Sequence, residues 1–267
     1  MRVLLLLQAT LLSACLCAQT KCPPTPAYSP CDLVFELSAD ETQAKPNPYV
    51  SVTLDVEFRS PRFRTFLIPA FWDGGNRIVA RFAPTEAGAW DYRVSSSLAR
   101  FEGRTGQIEA LASDSPGFIQ PRNVHHWGYT ENDRPHLWLG DTWLRFPFLE
   151  QKDFDWLVET RSRQKFNHAR GLLIGEESDS ARAYPASAEP DPEFFRRVDR
   201  RILAMNKAGI AADLILAGGH NHLVKLFPDA RARERYIRYV VGRYAAMNIT
   251  WQGVEEFEGY DNGRDLL

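Results

Sequence analysis

Between Val50 and Phe58 the chain alternates strictly, with Val50, Val52, Leu54, Val56 and Phe58 on one face and Ser51, Thr53, Asp55 and Glu57 on the other. That period of two predicts a half-buried antiparallel strand. Further strands are predicted over Leu33–Leu37, Arg64–Ala70, Arg77–Phe82, Trp90–Ser95 and Gly106–Ala110. Turn chemistry separates them at Asp73-Gly74-Gly75-Asn76, at Pro84 to Gly88 and at Glu102-Gly103. Six or seven short strands in about eighty residues have the size of an immunoglobulin-like β-sandwich. No catalytic constellation is visible in it.

After Asp114-Ser115-Pro116-Gly117 the rhythm changes to alternating strand and helix. Strands are predicted over His136–Gly140, Ala169–Ile174, Ala211–Leu216 and Ile249–Val254, and helices over Gln151–Lys165, Pro192–Ala208 and Asp229–Met247. Phe154, Leu157 and Val158 share one helix face, as do Tyr236, Val240, Tyr244 and Met247. Gly209 is placed to cap the second helix.

This order implies a parallel sheet. Its repeat length and the long loops after each strand favour a (β/α)8 TIM barrel. A doubly wound sheet is the alternative, and no Gly-x-Gly-x-x-Gly follows the first strand. A complete barrel takes about 250 residues. Only about 150 residues follow Gly117. The expectation is therefore an incomplete barrel of about four β/α units. Its two edge strands would need further chain, or another molecule, to cover them. The division expected is a signal peptide at 1–18, a linker at 19–30, the β-sandwich at 31–112 and the partial barrel at 118–267.

Lys and Arg number 32 against 34 Asp and Glu. That balance argues against nucleic acid as a partner. Arg2 followed by the short apolar run Val3–Leu12 reads as an export signal rather than a membrane span. Two processing routes stay open. Leu12-Ser13-Ala14-Cys15 has lipobox form and would leave a lipid anchor at Cys15, whereas cleavage after Ala18 would give a free periplasmic or secreted protein. In the second case Cys22 and Cys31 remain as a pair in an oxidising compartment, and a disulfide between them is expected. There is no Cys-His array for a metal and no signature of an organic cofactor.

Two sets of motifs carry a resemblance. In the first region they are Pro69-Ala70-Phe71-Trp72-Asp73-Gly74-Gly75 and Arg81-Phe82-Ala83-Pro84-Thr85-Glu86-Ala87-Gly88-Ala89-Trp90. In the second they are Leu139-Gly140-Asp141-Thr142-Trp143 and Asn248-Ile249-Thr250-Trp251 followed by acidic residues. In these the chain resembles the exported apiosidase-like glycoside hydrolases, over about residues 31 to 267.

The resemblance implies a carbohydrate substrate and a general acid/base glutamate at the end of the fourth strand. The nucleophile carboxylate would follow a seventh strand, which the four predicted here do not include. Glycoside hydrolysis needs two carboxyl groups, one to protonate the leaving oxygen and one to attack or to activate water. Strand alternation sets Thr250, Gln252 and Glu256 opposite Ile249, Trp251 and Glu255, so Glu256 is the expected acid. Asp141, Trp143, Glu176, His220, Glu255 and Glu258 are expected to touch substrate, Asp141 and Glu256 at the same rim. Glu177 and His222 also follow strand ends. The alternative is a non-catalytic carbohydrate- or surface-binding protein acting through the β-sandwich.

Overall fold

The computed structural model describes residues 22–132, 134–185 and 189–266. The expected signal segment, Cys15 and the cleavage sites lie outside them. Two sheets form the N-terminal half. Their strands are β1 (Thr25–Pro26), β2 (Cys31–Glu36), β3 (Leu54–Arg59), β4 (Thr65–Pro69), β5 (Phe71–Trp72), β6 (Arg77–Phe82), β7 (Gly88–Ser96) and β8 (Thr105–Leu111). One sheet runs β1-β8-β7-β3-β4 and the other β2-β6-β5. All pairings are antiparallel except β1 with β8.

Inward positions of both sheets make one core, from Leu33, Phe35 and Phe82 to Val56, Phe58, Trp90, Val94 and Ile108. Phe58 stacks on Phe82 with ring centroids 4.0 Å apart. Cys22 and Cys31 are joined by a disulfide, closing the loop that leads into β2.

The alternation read from Val50 starts too early. Helix α1 (Ala39–Ala44) begins in a capping box of Ser38 and Glu41, and Pro48–Ser51 forms a short helix, α2. Pro48 presets its first position and the Asn47 side chain accepts from the Val50 N–H. Those local terms outweigh the period of two, and β3 begins at Leu54.

A small antiparallel sheet lies between the two halves, formed by β9 (Ile119–Asn123), β10 (His126–Tyr129) and β11 (Pro135–His136). It was not anticipated. Beyond it stands a parallel sheet of β12 (Gly140–Thr142), β13 (His168–Leu172), β14 (Ala211–Ala217) and β15 (Ile249–Val254), in that order. The first strand, expected at His136–Gly140, is thus split. His136 pairs in the small sheet, and the parallel ladder starts at Gly140. Backbone bonding then continues past Thr142, from Trp143 N–H to Arg170 O and from Leu172 N–H to Leu144 O.

Between the parallel strands run α3 (Gln151–Arg163), α4 (Glu177–Ala183), α5 (Pro192–Lys207), α6 (His222–Leu226) and α7 (Ala230–Tyr244), with α8 (Gly263–Leu266) after β15. Asp191 and Asp229 cap α5 and α7. Helix α5 buries Phe194, Phe195, Val198, Ile202 and Met205 against the sheet, and α7 buries Tyr236, Tyr239, Val240 and Tyr244. Among the described residues β12 and β15 are the edges of this sheet.

Helix α7 also meets the N-terminal sheets. A Cβ on Gly242 would stand 2.2 Å from the Pro69 carbonyl oxygen, so only glycine permits this approach. Beside it Arg243 is fully buried and forks onto Asp199 at 2.7 and 2.8 Å, with Asp73 at 3.1 Å. Arg81 reaches Asp199 at 3.2 Å and Asp32 at 2.8 Å. This network joins α5 and α7 to β2, β6 and the turn after β5.

Candidate active site at the strand ends

Parallel strands bring their carboxyl ends to one rim, where loops are free to vary. Glu255 N–H still bonds to Ala217 O at 2.9 Å, so the ladder reaches one residue past β15. Glu256 then turns into the left-handed region at φ 48. The adjoining loop, Gly218-Gly219-His220-Asn221, carries two more such residues, His220 at φ 54 and Asn221 at φ 61. Left-handed backbone away from glycine costs roughly 1–3 kcal/mol per residue and persists only where neighbours enforce it.

Here the neighbours are specific. Asn221 and Asp261 exchange two bonds, each 2.9 Å. Tyr260 donates to Gly218 O at 2.6 Å and accepts from Leu223 N–H at 3.1 Å. Burial holds the Tyr260 phenol above its ordinary pKa, which keeps that donor protonated. Gly218 N–H donates to His222 Nδ1 at 3.0 Å. The loop after β14 and the loop after β15 are therefore one braced unit. A Cβ on Gly219 would sit 3.1 Å from Glu256 Oε2, so the missing side chain gives that carboxylate its place.

A cavity of about 700 Å³ opens over this unit, lined by Leu144, Glu176, Ser178, Gly218, Gly219, His220, His222, Lys225, Glu255 and Glu256. Four expected residues, Glu176, His220, Glu255 and Glu256, meet here. Lys225 and Ser178 were not singled out, although Lys225 stands three residues after His222 on α6, one turn along the same face.

Three expected contacts are corrected. Asp141 pairs in register with Ala169, which pairs with Ala212, which pairs with Ile249, the first residue of β15. Asp141 is thus level with the start of β15, while Glu256 lies beyond its end. The first strand runs on to Leu144, and it is Leu144 that reaches the cavity. Alternation points Asp141 and Trp143 outward, towards α3. There Asp141 accepts from Trp143 Nε1 at 3.0 Å, Arg161 Nε at 2.5 Å and Thr142 N–H at 2.8 Å. Burial raises the Asp141 carboxyl, but these donors outweigh it and hold the group below the usual carboxylate range. Trp143 is buried. Glu258 lies in a 3-10 turn, Phe257–Gly259, is exposed and does not line the cavity.

At the other end of the sheet is a buried polar chain that the residue pattern did not reveal. Tyr129 Oη meets His136 Nδ1, His136 Nε2 meets His168 Nε2, and His168 Nδ1 meets Asp213 Oδ1, each at 2.7 Å. Thr250 donates to the same Asp213 oxygen at 2.5 Å. Trp138 stacks on His168 at 3.6 Å. The Thr250 bond shows that Thr250, and by alternation Gln252, face inward. No group of three or more His, Cys, Asp or Glu suited to a metal occurs among the described residues.

Comparison with known proteins fits this geometry. The model of the apiosidase-like catalytic domain matches residues 123–260, and that of a domain of unknown function, DUF5060, matches residues 25–97. A crystal structure of a candidate glycoside hydrolase from Bacteroides vulgatus ATCC 8482 superposes with a TM-score of 0.75 at 24% identity. The match covers 88% of this chain and 50% of that one, so this chain spans half the length of the solved protein. At that identity the likeness shows the fold. A glycoside hydrolase family 5 protein from the same strain is 16% identical, covering 57% of this chain and 35% of that one, with a TM-score of 0.47. An endo-1,4-beta-mannanase from Rhizomucor miehei is 14% identical, covering 52% and 48%, with a TM-score of 0.42. Neither of these two superpositions carries an argument. No curated protein matches the sequence.

Proposed function

The chain belongs to the apiosidase-like catalytic domain family, and from that premise we propose that it serves an exported glycosidase acting on O-glycosidic bonds of complex polysaccharide. The four parallel strands are read as half of a (β/α)8 cylinder spanning 118–267, preceded by an immunoglobulin-like sandwich at 31–112. One observation carries the catalytic reading: a roomy cavity at the carboxyl ends of parallel strands, with the Glu256 carboxylate held against Gly219.

In this reading Glu256 protonates the departing glycosidic oxygen and later, as carboxylate, deprotonates the incoming water. Among the described residues its side chain has no hydrogen-bond partner, so it can turn to a substrate oxygen. Glu176, His220 and Lys225 offer polar contacts to sugar hydroxyls. The second carboxylate of the mechanism comes from beyond these four strands. Export is supported by the apolar N-terminal segment and by the Cys22–Cys31 disulfide.

The test is Glu256→Gln in the active enzyme. Turnover should fall roughly 10²–10⁴-fold on natural glycans. An aryl glycoside whose leaving group needs no proton should recover most of the loss in kcat/KM, while its turnover stays low because the second step still lacks its base. An unimpaired variant removes Glu256 from the mechanism.

A further inference from the structure

A second cavity, about 510 Å³, opens between the N-terminal sheets and the outer face of α7, and it shares no lining residue with the rim cavity. At its base Tyr49 and Phe71 are buried and each meets Tyr239 edge to face, and Trp72 beside them is partly exposed. Its wall is α7, which sets Arg231, Arg235 and Arg238 along one stripe. Arg238 is engaged by Asp55 at 2.6 Å. Among the described residues no carboxylate pairs with Arg231 or Arg235. Arg235 instead lies over the Tyr49 ring, 5.7 Å from its centre.

The lining thus combines one partly exposed indole, Trp72, two guanidinium groups with no carboxylate paired to them among the described residues, and acceptors on Thr53, Asp55 and Glu234. An alkyl chain would lie against the indole but would desolvate those acceptors without pairing them. A carboxylated sugar answers all three features. Its ring lies against Trp72, its hydroxyls donate to the acceptors, and its carboxylate takes the planar guanidinium fork. We propose that this cleft binds a uronate residue of an acidic glycan, with Arg231 and Arg235 holding the carboxylate. The glycan part rests on the glycosidase reading; the carboxylate part rests on the arginines alone. Such a site would tether a polymer outside the rim cavity.

The test is calorimetric titration of the chain carrying Glu256→Gln with α-1,4-linked tri-galacturonate, so that turnover plays no part. Saturable binding is expected, lost with the methyl-esterified trimer and weakened about tenfold or more by Arg235→Gln. Arg231→Gln, at an exposed position that should not disturb folding, should weaken it as well. The absence of binding, equal affinity for the ester, indifference to both arginine variants, or a preference for laurate would each overturn the proposal. Because Glu256→Gln silences the rim acid, tri-galacturonate binding can succeed where hydrolysis by the parent enzyme fails, and the reverse.

Discussion

The junction and the rim both carry charge, and they handle it in opposite ways. At the junction Arg243 is sealed from water and Asp199 supplies both of its oxygens to it, with Asp73 and Tyr239 completing the fork. At the rim Glu256 is exposed and its carboxylate has no hydrogen-bond partner among the described residues, while the backbone beneath it is left-handed and braced. A satisfied charge holds the molecule together. A charge kept available on a constrained backbone is what chemistry at a glycosidic bond requires. Asp141 on β12 and Glu256 just past β15 show the same contrast, since Asp141 is saturated by three donors and Glu256 is not.

The contrast can be broken at its structural end first. Arg243→Met leaves Asp199 and Asp73 buried with less counter-charge, and removing one partner of such a pair costs about 3–5 kcal/mol. Chemical denaturation should show that loss. A change under about 1 kcal/mol, the worth of an exposed pair, would mean the junction is wetter than its burial indicates.

Asp141→Asn comes next. It removes the charge that Arg161 and Trp143 share, and should lower stability by about 1–3 kcal/mol, in the range of a charged hydrogen bond. Turnover by the active enzyme should stay near the parent value. A large drop in turnover with unchanged stability would return Asp141 to the substrate. The pH dependence has a definite sign. The folded-state pKa of Asp141 is depressed, so its contribution is full above about pH 4, the unfolded carboxylate value, and is lost as pH falls through the folded one.

The histidine chain gives a smaller effect. Burial lowers the pKa of His136 below 6.5, His168 adds to the lowering, and Asp213 opposes it. The unfolded chain then takes up a proton that the folded one refuses. Stability should therefore hold above about pH 6.5 and decline as pH falls from there towards the folded value. Tyr129, Thr250 and Asp213 face the pair. Melting temperatures from pH 7.5 down to 5, compared with a His136→Gln variant, would check it. An identical slope in the variant would assign the decline to other groups.

Much of this architecture was legible. Strands β6 and β15 fall where alternation and turn residues set them, and the three expected helices, α3, α5 and α7, lie within three residues of their expected ends. Capping and periodicity are local, so a chain without coordinates displays them. What stayed hidden depends on distant partners. Asp141 reads as a rim residue because the first strand is expected to end at Gly140, just before it, where the resemblance implies substrate contact. Only pairing with Arg170 and Leu172 carries that strand on to Leu144. The His136–His168 contact spans 32 positions and the Arg243–Asp73 contact 170. No spacing rule predicts either. Glu258 departs for a simpler reason, since the 3-10 turn Phe257–Gly259 carries it away from the strand end.

The most direct test of the rim is the pH profile of kcat/KM for the active enzyme and its Glu256→Gln variant, on a glycan with a poor leaving group. A general acid at Glu256 predicts an alkaline limb in the parent that disappears in the variant, whose low rate becomes flat with rising pH. An alkaline limb that persists unchanged in the variant would show that another group delivers the proton.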